Sequence, residues 1–226
     1  MELVLARSDA PLPTTADLYC IGGGEDGPQI QAAERLGGGA LATAVANGAS
    51  VLAVCAGYQI MGTSFPDPDG RPYDGVGLLD VDTVRGPGHR AVGEIVTESL
   101  TVPPGTTLIG RLTGFENHAG VTRLGPQASP LARVVSGIGN GDGSGTDGAR
   151  AGRVLGTYLH GPVLARNPAL ADMVLALAWG SVPTPLDDEE EDALHRQRLQ
   201  AAAGGAQRRA RTAGPAWRQL VRLRRS

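Results

Sequence analysis

Ser50-Val51-Leu52-Ala53-Val54-Cys55-Ala56-Gly57-Tyr58-Gln59-Ile60-Met61-Gly62 decides how this chain folds. A short apolar run that ends on a cysteine and passes through small residues into a helical pattern reads as a buried strand turning sharply into a helix. The turn lifts the Cys55 side chain clear of the sheet, and a thiol at a helix start meets unpaired amides and the positive end of the helix dipole, both of which favour thiolate. A lone cysteine in an apolar run is otherwise a small buried hydrophobe. Cys55 therefore needs company from elsewhere in the chain before it reads as a nucleophile.

The 226 residues suffice for one large domain, or one domain with an appendage. No run of about eighteen apolar residues occurs, so no membrane-spanning helix is expected, and Met1 to Arg7 does not read as a signal peptide. Two cysteines, Cys20 and Cys55, make a disulfide framework an unlikely plan, and a cytoplasmic setting is the expectation. Every basic residue is Arg, which reads as codon bias. The charge is uneven: Asp187 to Asp192 is an unbroken acidic run, and the 34 residues after it hold nine Arg and no acid. That division suggests a domain over residues 1–185 and a C-terminal helix with an Arg-rich tail over 186–226. The tail reads as a solvated end, with anionic lipid as the surface it would meet.

Leu3-Val4-Leu5 reads as a strand, Pro11-Leu12-Pro13 as a linker, and Asp17 to Ile21 as a buried strand that opens onto Gly22-Gly23-Gly24. Gln29 to Asn47 has a helical pattern despite Gly37-Gly38-Gly39. Strands alternating with helices predict an α/β fold with a mostly parallel sheet flanked by helices. From Gly75 to Thr122 the pattern turns to short β segments at Gly77–Val81, Ala91–Val96 and Gly120–Thr122, with a turn at Pro103-Pro104-Gly105. Gly137 to Gly152 reads as a flexible loop or lid edge. Val154 to Leu159 is a further buried strand, and Asn167-Pro168 starts a helix running to about Trp179. Leu186 to Gln200 reads as a last helix with the acidic run at its N-terminus.

His160 stands, like Cys55, at the C-terminal end of a buried strand, where open parallel sheets collect their ligands. A Cys and a His meeting there suit thiol acyl transfer: the imidazole deprotonates the thiol, then protonates a leaving amine. Gly22-Gly23-Gly24 offers backbone amides without Cβ atoms, and Gly23 N–H with Ala56 N–H is the expected oxyanion hole. Gln59 reads as either a substrate contact or a helix cap. Glu116-Asn117-His118 does not have the spacing or partners of a metal site, so no metal is expected; Asn117 and His118 read as loop-ordering or pocket-lining residues. His195 reads as surface and Cys20 as core.

Ile21-Gly22-Gly23-Gly24-Glu25-Asp26-Gly27-Pro28-Gln29, Val54 to Gln59, Gly114 to His118 and Gly156 to Pro162 together resemble the class I glutamine amidotransferases of the cobyric-acid-synthase type, whose fold is flavodoxin-like. More closely, they resemble the glutaminase subunits of lipid II isoglutaminyl synthases. The resemblance spans about residues 3 to 180. It implies hydrolysis of L-glutamine to glutamate and ammonia through a Cys55 thioester. Ammonia then passes to a Mur-ligase-like partner, MurT, in a heterodimer that amidates D-glutamate of the lipid II stem peptide. Arg90 matches the arginine that binds substrate glutamine, suiting its α-carboxylate, and Gly24 falls with the substrate-binding loop. No cofactor is implied for this chain; ATP and Mg²⁺ are implied for the partner, and the complex would meet lipid II at the inner face of the membrane.

Three departures matter. Many class I amidotransferases place a Glu two residues after the catalytic His, where this chain has Pro162; the resemblance implies that an Asp of the ligase subunit completes the site. Family members carry a further strand and helix before the segment matched by Glu2–Ala6, so an N-terminal strand and helix are expected to be missing, or the start misassigned. Ala53 stands where Gly often precedes the nucleophile. The alternatives are an amidotransferase of the cobyric-acid-synthase type and an inert truncated scaffold that binds the ligase subunit.

Overall fold

The structure is a computed structural model that describes residues 2–6, 10–24, 26–88, 90–100, 110–184 and 186–212. In chain order, strand β1 (Leu18–Ile21) leads to helices α1 (Asp26–Leu36) and α2 (Ala40–Ala46), then to β2 (Ser50–Val54) and α3 (Ala56–Met61). Strands β3 (Ser64–Pro66), β4 (Pro72–Asp74), β5 (Val81–Arg85), β6 (Ala91–Ser99), β7 (Arg111–His118), β8 (Gly120–Leu124) and β9 (Ala132–Ser136) follow. Short β10 (Thr146–Asp147) and β11 (Ala149–Ala151) precede β12 (Val154–Thr157), and α4 (Val163–Arg166), α5 (Pro168–Trp179) and α6 (Glu189–Thr212) complete the described chain.

The central sheet has the order β1-β2-β12-β11, with β1, β2 and β12 parallel and β11 antiparallel at one edge. Alternation along β2 serves two cores, as a pleated strand covered on both faces requires. Val51 and Ala53 join a cluster with Ala33, Leu36, Leu41 and Tyr58 from the α1–α3 side. Leu52 joins another with Leu170, Met173 and Val174 of α5, together with Ile95 and Leu112 from the neighbouring sheet. Full burial of each large apolar side chain contributes about 1.5–3 kcal/mol. Ala53 is fully buried, so the methyl group at the position expected to prefer Gly is absorbed by the core.

The remaining strands form two antiparallel-rich sheets, β10-β9-β6-β7 and β4-β3-β5-β8. The β segment expected at Gly77–Val81 is a bend up to Asp80, and the strand proper is β5, starting at Val81. Leu3-Val4-Leu5 is not a strand: Leu3 is 92% and Leu5 84% exposed, and neither finds a pairing edge. The helix expected over Gln29–Asn47 is two helices, because Gly39 adopts φ 83° and starts α2 from a left-handed position. Cys20, expected in the core, is exposed; it points to the face of β1 opposite the buried Tyr19.

The glycine-rich stretch from Gly137 to Gly152 is an anchored structure rather than a flexible lid. The Glu116 carboxylate accepts hydrogen bonds from the amides of Ile138 and Gly139 at 3.0 Å, and the Asn140 side chain bridges Gly148 N and O. Gly148, with φ 67°, lies so close to Gly156 O that a Cβ would overlap it. Asn167 caps no amide of α5 with its side chain; it bonds both backbone groups of Thr113 instead, tying α5 to β7. His195, expected at the surface, is half-buried: Nδ1 donates to Arg166 O at 2.7 Å, while Arg166 pairs with Glu94 on β6. Helix α6 thereby packs on α4, β6 and β7. The Pro103-Pro104-Gly105 turn and the tail beyond Thr212 lie outside the described residues.

Gly156 of β12 runs directly under the Tyr58 ring, leaving no room for a Cβ. Gly156→Ala is expected to cost about 1–3 kcal/mol, read as a lowered thermal unfolding midpoint, whereas Gly88→Ala, at an open position without positive φ, leaves the midpoint unchanged.

Candidate active site

Cys55 has φ 54° and ψ −109°, and it is the one non-glycine residue with positive φ among those described. Such a conformation costs about 1–3 kcal/mol and persists only where neighbours over-determine it. Here Cys55 N donates to Thr157 O at 2.9 Å, and Gln59 N returns to Cys55 O at 3.0 Å. Gly57 lets the first turn of α3 press against the carbonyls of Ile21 and Gly22; a Cβ there would overlap both. The elbow read from the sequence is present, but α3 is only six residues long, so its dipole is small and the Ala56 amide is the local donor that favours thiolate.

His160 follows β12 and forms an isolated bridge with Phe115 of β7, through His160 N to Phe115 O at 2.9 Å. Cys55, His160 and the Gly22-Gly23-Gly24 loop meet at one point. A Cβ built on Gly23 would stand 3.1 Å from His160 Cε1, 3.6 Å from its Nδ1 and 3.5 Å from Cys55 Cβ. The Gly23 backbone thus lies directly against the imidazole, and a side chain there would press on His160. Gly24, in the same loop, is exposed.

The electrostatics differ from the expectation of a ready thiolate. Burial pushes the Cys55 thiol above its ordinary value; the Ala56 amide and the Arg90 charge pull the other way without prevailing. Burial, helped by Arg90, holds His160 below its ordinary value. A protonated thiol therefore rests beside a neutral imidazole, the protonation states that suit a general base next to its nucleophile. His160 Nε2 is buried with no hydrogen-bond partner among the described residues. Pro162 stands where an orienting acid was sought, and the two buried acids nearby are engaged. Glu116 holds Ile138 and Gly139, while Asp147, raised to about 6 by burial, bonds Thr157 Oγ1 and Tyr158 N.

Arg90 immediately precedes β6 and is held by the partner strand: Nε donates to Asn117 Oδ1 at 2.5 Å and Nη2 to Asn117 O at 3.0 Å. Asn117 and His118 are the last two residues of β7. Gln59, expected near substrate, is buried with both side-chain ends engaged, accepting from Gln29 Nε2 at 2.9 Å and donating to Tyr158 Oη at 3.1 Å. The chain continues through Thr122 and Thr83 at 2.6 and 2.8 Å. Sequence reasoning missed Gln29, Tyr158, Thr122 and Thr83 as a connected set, because residues so far apart in the chain meet only through the tertiary fold. The His118 ring stacks on Tyr158, with centroids 3.7 Å apart, and its Nδ1 donates to Gly120 O at 3.0 Å.

A cysteine at a strand–elbow–helix turn, an imidazole that follows the neighbouring strand and a glycine loop thus come together at one end of the parallel strands. The chain belongs to the CobB/CobQ-like glutamine amidotransferase domain family, whose model matches residues 2–168. It is 36% identical over 178 residues to the lipid II isoglutaminyl synthase (glutamine-hydrolyzing) subunit GatD of Staphylococcus aureus, covering 78% of this chain and 69% of that one. The corresponding subunit of Streptococcus pneumoniae is 31% identical over 164 residues, 72% of this chain and 61% of that one. The cobyric acid synthase of Methylobacterium nodulans is 36% identical over 168 residues, but the match spans only 32% of its length. A solved glutamine amidotransferase structure shares the fold, with TM-score 0.55 and 24% identity over 72% of this chain and 79% of that one.

The Arg90 charge favours the Cys55 thiolate. In a Cys20→Ser background, Arg90→Gln is expected to move the midpoint of iodoacetamide alkylation of Cys55 to higher pH, because a lost positive charge disfavours thiolate. An unchanged midpoint would show that Arg90 does not act on the thiol.

Proposed function

We propose that this chain is the glutaminase subunit of a lipid II isoglutaminyl synthase. The observation that carries the chemistry is the convergence of Cys55 in its strained elbow, His160 and Gly23 on one point. His160 takes the Cys55 proton as sulfur attacks the γ-carboxamide carbon of L-glutamine. The resulting oxyanion lies against the amides of Gly23 and Ala56. Collapse breaks the C–N bond, the imidazolium returns its proton to nitrogen, and ammonia leaves a γ-glutamyl thioester. Water, deprotonated by His160, then cleaves the thioester to glutamate and restores the thiol. Arg90 suits the substrate α-carboxylate as a fork of donors on a rigid strand pair.

Similarity to the two GatD subunits, over far more of their length than of the cobyric acid synthase, supports a detached glutaminase that serves a separate Mur-ligase-like subunit, MurT. That subunit, with ATP and Mg²⁺, would use the ammonia to amidate D-glutamate of lipid II. The proposal also accounts for the unheld imidazole: with Pro162 after it and the nearby buried acids engaged, His160 takes its orienting carboxylate from the partner. No helix among the described residues is long and apolar enough to cross a membrane.

Glutamate release from glutamine, with and without the Mur-ligase-like subunit, tests the reading. Release is expected to rise at least tenfold with the partner, the usual scale of a general-base contribution being about 10²–10⁴, and to vanish in Cys55→Ala. A folded complex with no release would overturn it.

A further inference from the structure

Gln29 Nε2 donates to Gln59 Oε1, Asn117 Oδ1 accepts from the Arg90 guanidinium, and Glu116 and Asp147 accept from backbone amides and a hydroxyl. His118, like His160, differs from these. It is 3% exposed, yet its Nε2 is buried with no hydrogen-bond partner among the described residues. The state of that nitrogen follows from the other one. Gly120 O can only accept, so Nδ1 carries the proton, and in the neutral ring Nε2 presents a bare lone pair. Stacking on Tyr158 fixes the ring plane. Burial then keeps the ring neutral, at about 4, with the charges of His160 and Arg90 adding to the effect. An unpaired buried acceptor costs free energy unless something donates to it.

Its position suggests the donor. His118 pairs in register with Ala91, the residue after Arg90, and stacks on Tyr158, two residues before His160. It therefore stands close to the strand end that follows Arg90 and to the segment that carries His160. A free amino acid bound there presents two charged groups at its α-carbon. The carboxylate needs donors, which Arg90 supplies; the ammonium needs an acceptor, and the buried His118 lone pair is one that no group among the described residues occupies. A protonated imidazole would repel an ammonium, whereas one locked as an acceptor receives it.

We propose that His118 Nε2 accepts a hydrogen bond from the α-ammonium of the substrate, so that His118 and Arg90 together recognise the zwitterionic head of L-glutamine. The inference rests on the glutaminase reading and adds a specificity-determining residue to it. A primary amide without an α-amino group would meet Cys55 and His160 as glutamine does but leave His118 unpaired.

The test uses the full chain carrying Cys55→Ser, in complex with the ligase subunit, and titration calorimetry with two ligands: L-glutamine and 4-carbamoylbutanoate, which is glutamine without its α-amino group. Glutamine is expected to bind about ten- to a hundredfold tighter, the scale of a hydrogen bond to a charged group. His118→Phe should weaken glutamine binding to the level of the analogue while leaving the analogue unchanged. His118→Gln, which keeps an acceptor oxygen, should recover part of the loss. Equal binding of the two ligands before any change at His118, or equal weakening of both by His118→Phe, would overturn the proposal. If His118→Phe loses its circular dichroism signature, the two-ligand comparison and His118→Gln decide. A folded complex that binds no glutamine, from a parent that releases no glutamate, is a different result: it removes the glutaminase reading and this proposal with it.

Discussion

The backbone of Cys55 is the constraint on which the rest depends. An L-residue at φ 54° and ψ −109° cannot hold that conformation by itself. It is held because β2 and β12 are parallel neighbours, so Cys55 N reaches Thr157 O, and because Gly57 lets α3 close onto the end of β1. The same pairing brings His160, three residues beyond Thr157, to the side of the sheet where the elbow projects. Cys55 and His160 are thus placed by one strand pairing, and a change that loosens β2 against β12 would disturb both.

Burial sets the chemistry of this site more than any formal charge does. It raises the thiol, lowers His160 and His118, and raises Asp147 to about 6. Each shift favours the neutral form, as low local polarity dictates. Proton transfer from thiol to imidazole creates a charge pair inside that environment, and oriented amides such as those of Gly23 and Ala56 would favour the anionic partner. The two buried carboxylates serve architecture: Glu116 gathers the amides of the glycine-rich segment, and Asp147 fixes the strand end that leads to His160.

The antiparallel sheets are the frame for Arg90. β6 and β7 share a long register from Ala91↔His118 to Glu98↔Arg111, and the Asn117 clamp sits at the end nearest the parallel sheet. Helix α6 adds to this frame from behind: its His195 donates to Arg166 O of α4, and the Arg166 side chain pairs with Glu94 of β6. It lies beyond the segment matched by the family model, yet it touches the elements that carry both Arg90 and the start of α4.

Local pattern was enough for the elbow, the glycine loop, the strand before His160 and α5, since each is written in contiguous residues: an apolar run, a cysteine, small residues, a Pro at the first helical position. Local pattern misled where a neighbour decides. Cys20 alternates away from the core, Leu3 to Leu5 find no edge, and the segment from Gly137 to Gly152 is pinned by Glu116 from another strand. The thiol was expected to be lowered by a helix start, but burial, which only tertiary packing creates, prevails. Tertiary structure alone also joined Gln29, Gln59, Tyr158, Thr122 and Thr83, and left His118 with an unshared lone pair, because hydrogen bonds between residues up to a hundred positions apart have no signature in the order of the chain. Sequence by itself determined which residues are available for chemistry; the fold determined their protonation and their partners, since both depend on what each group is packed against.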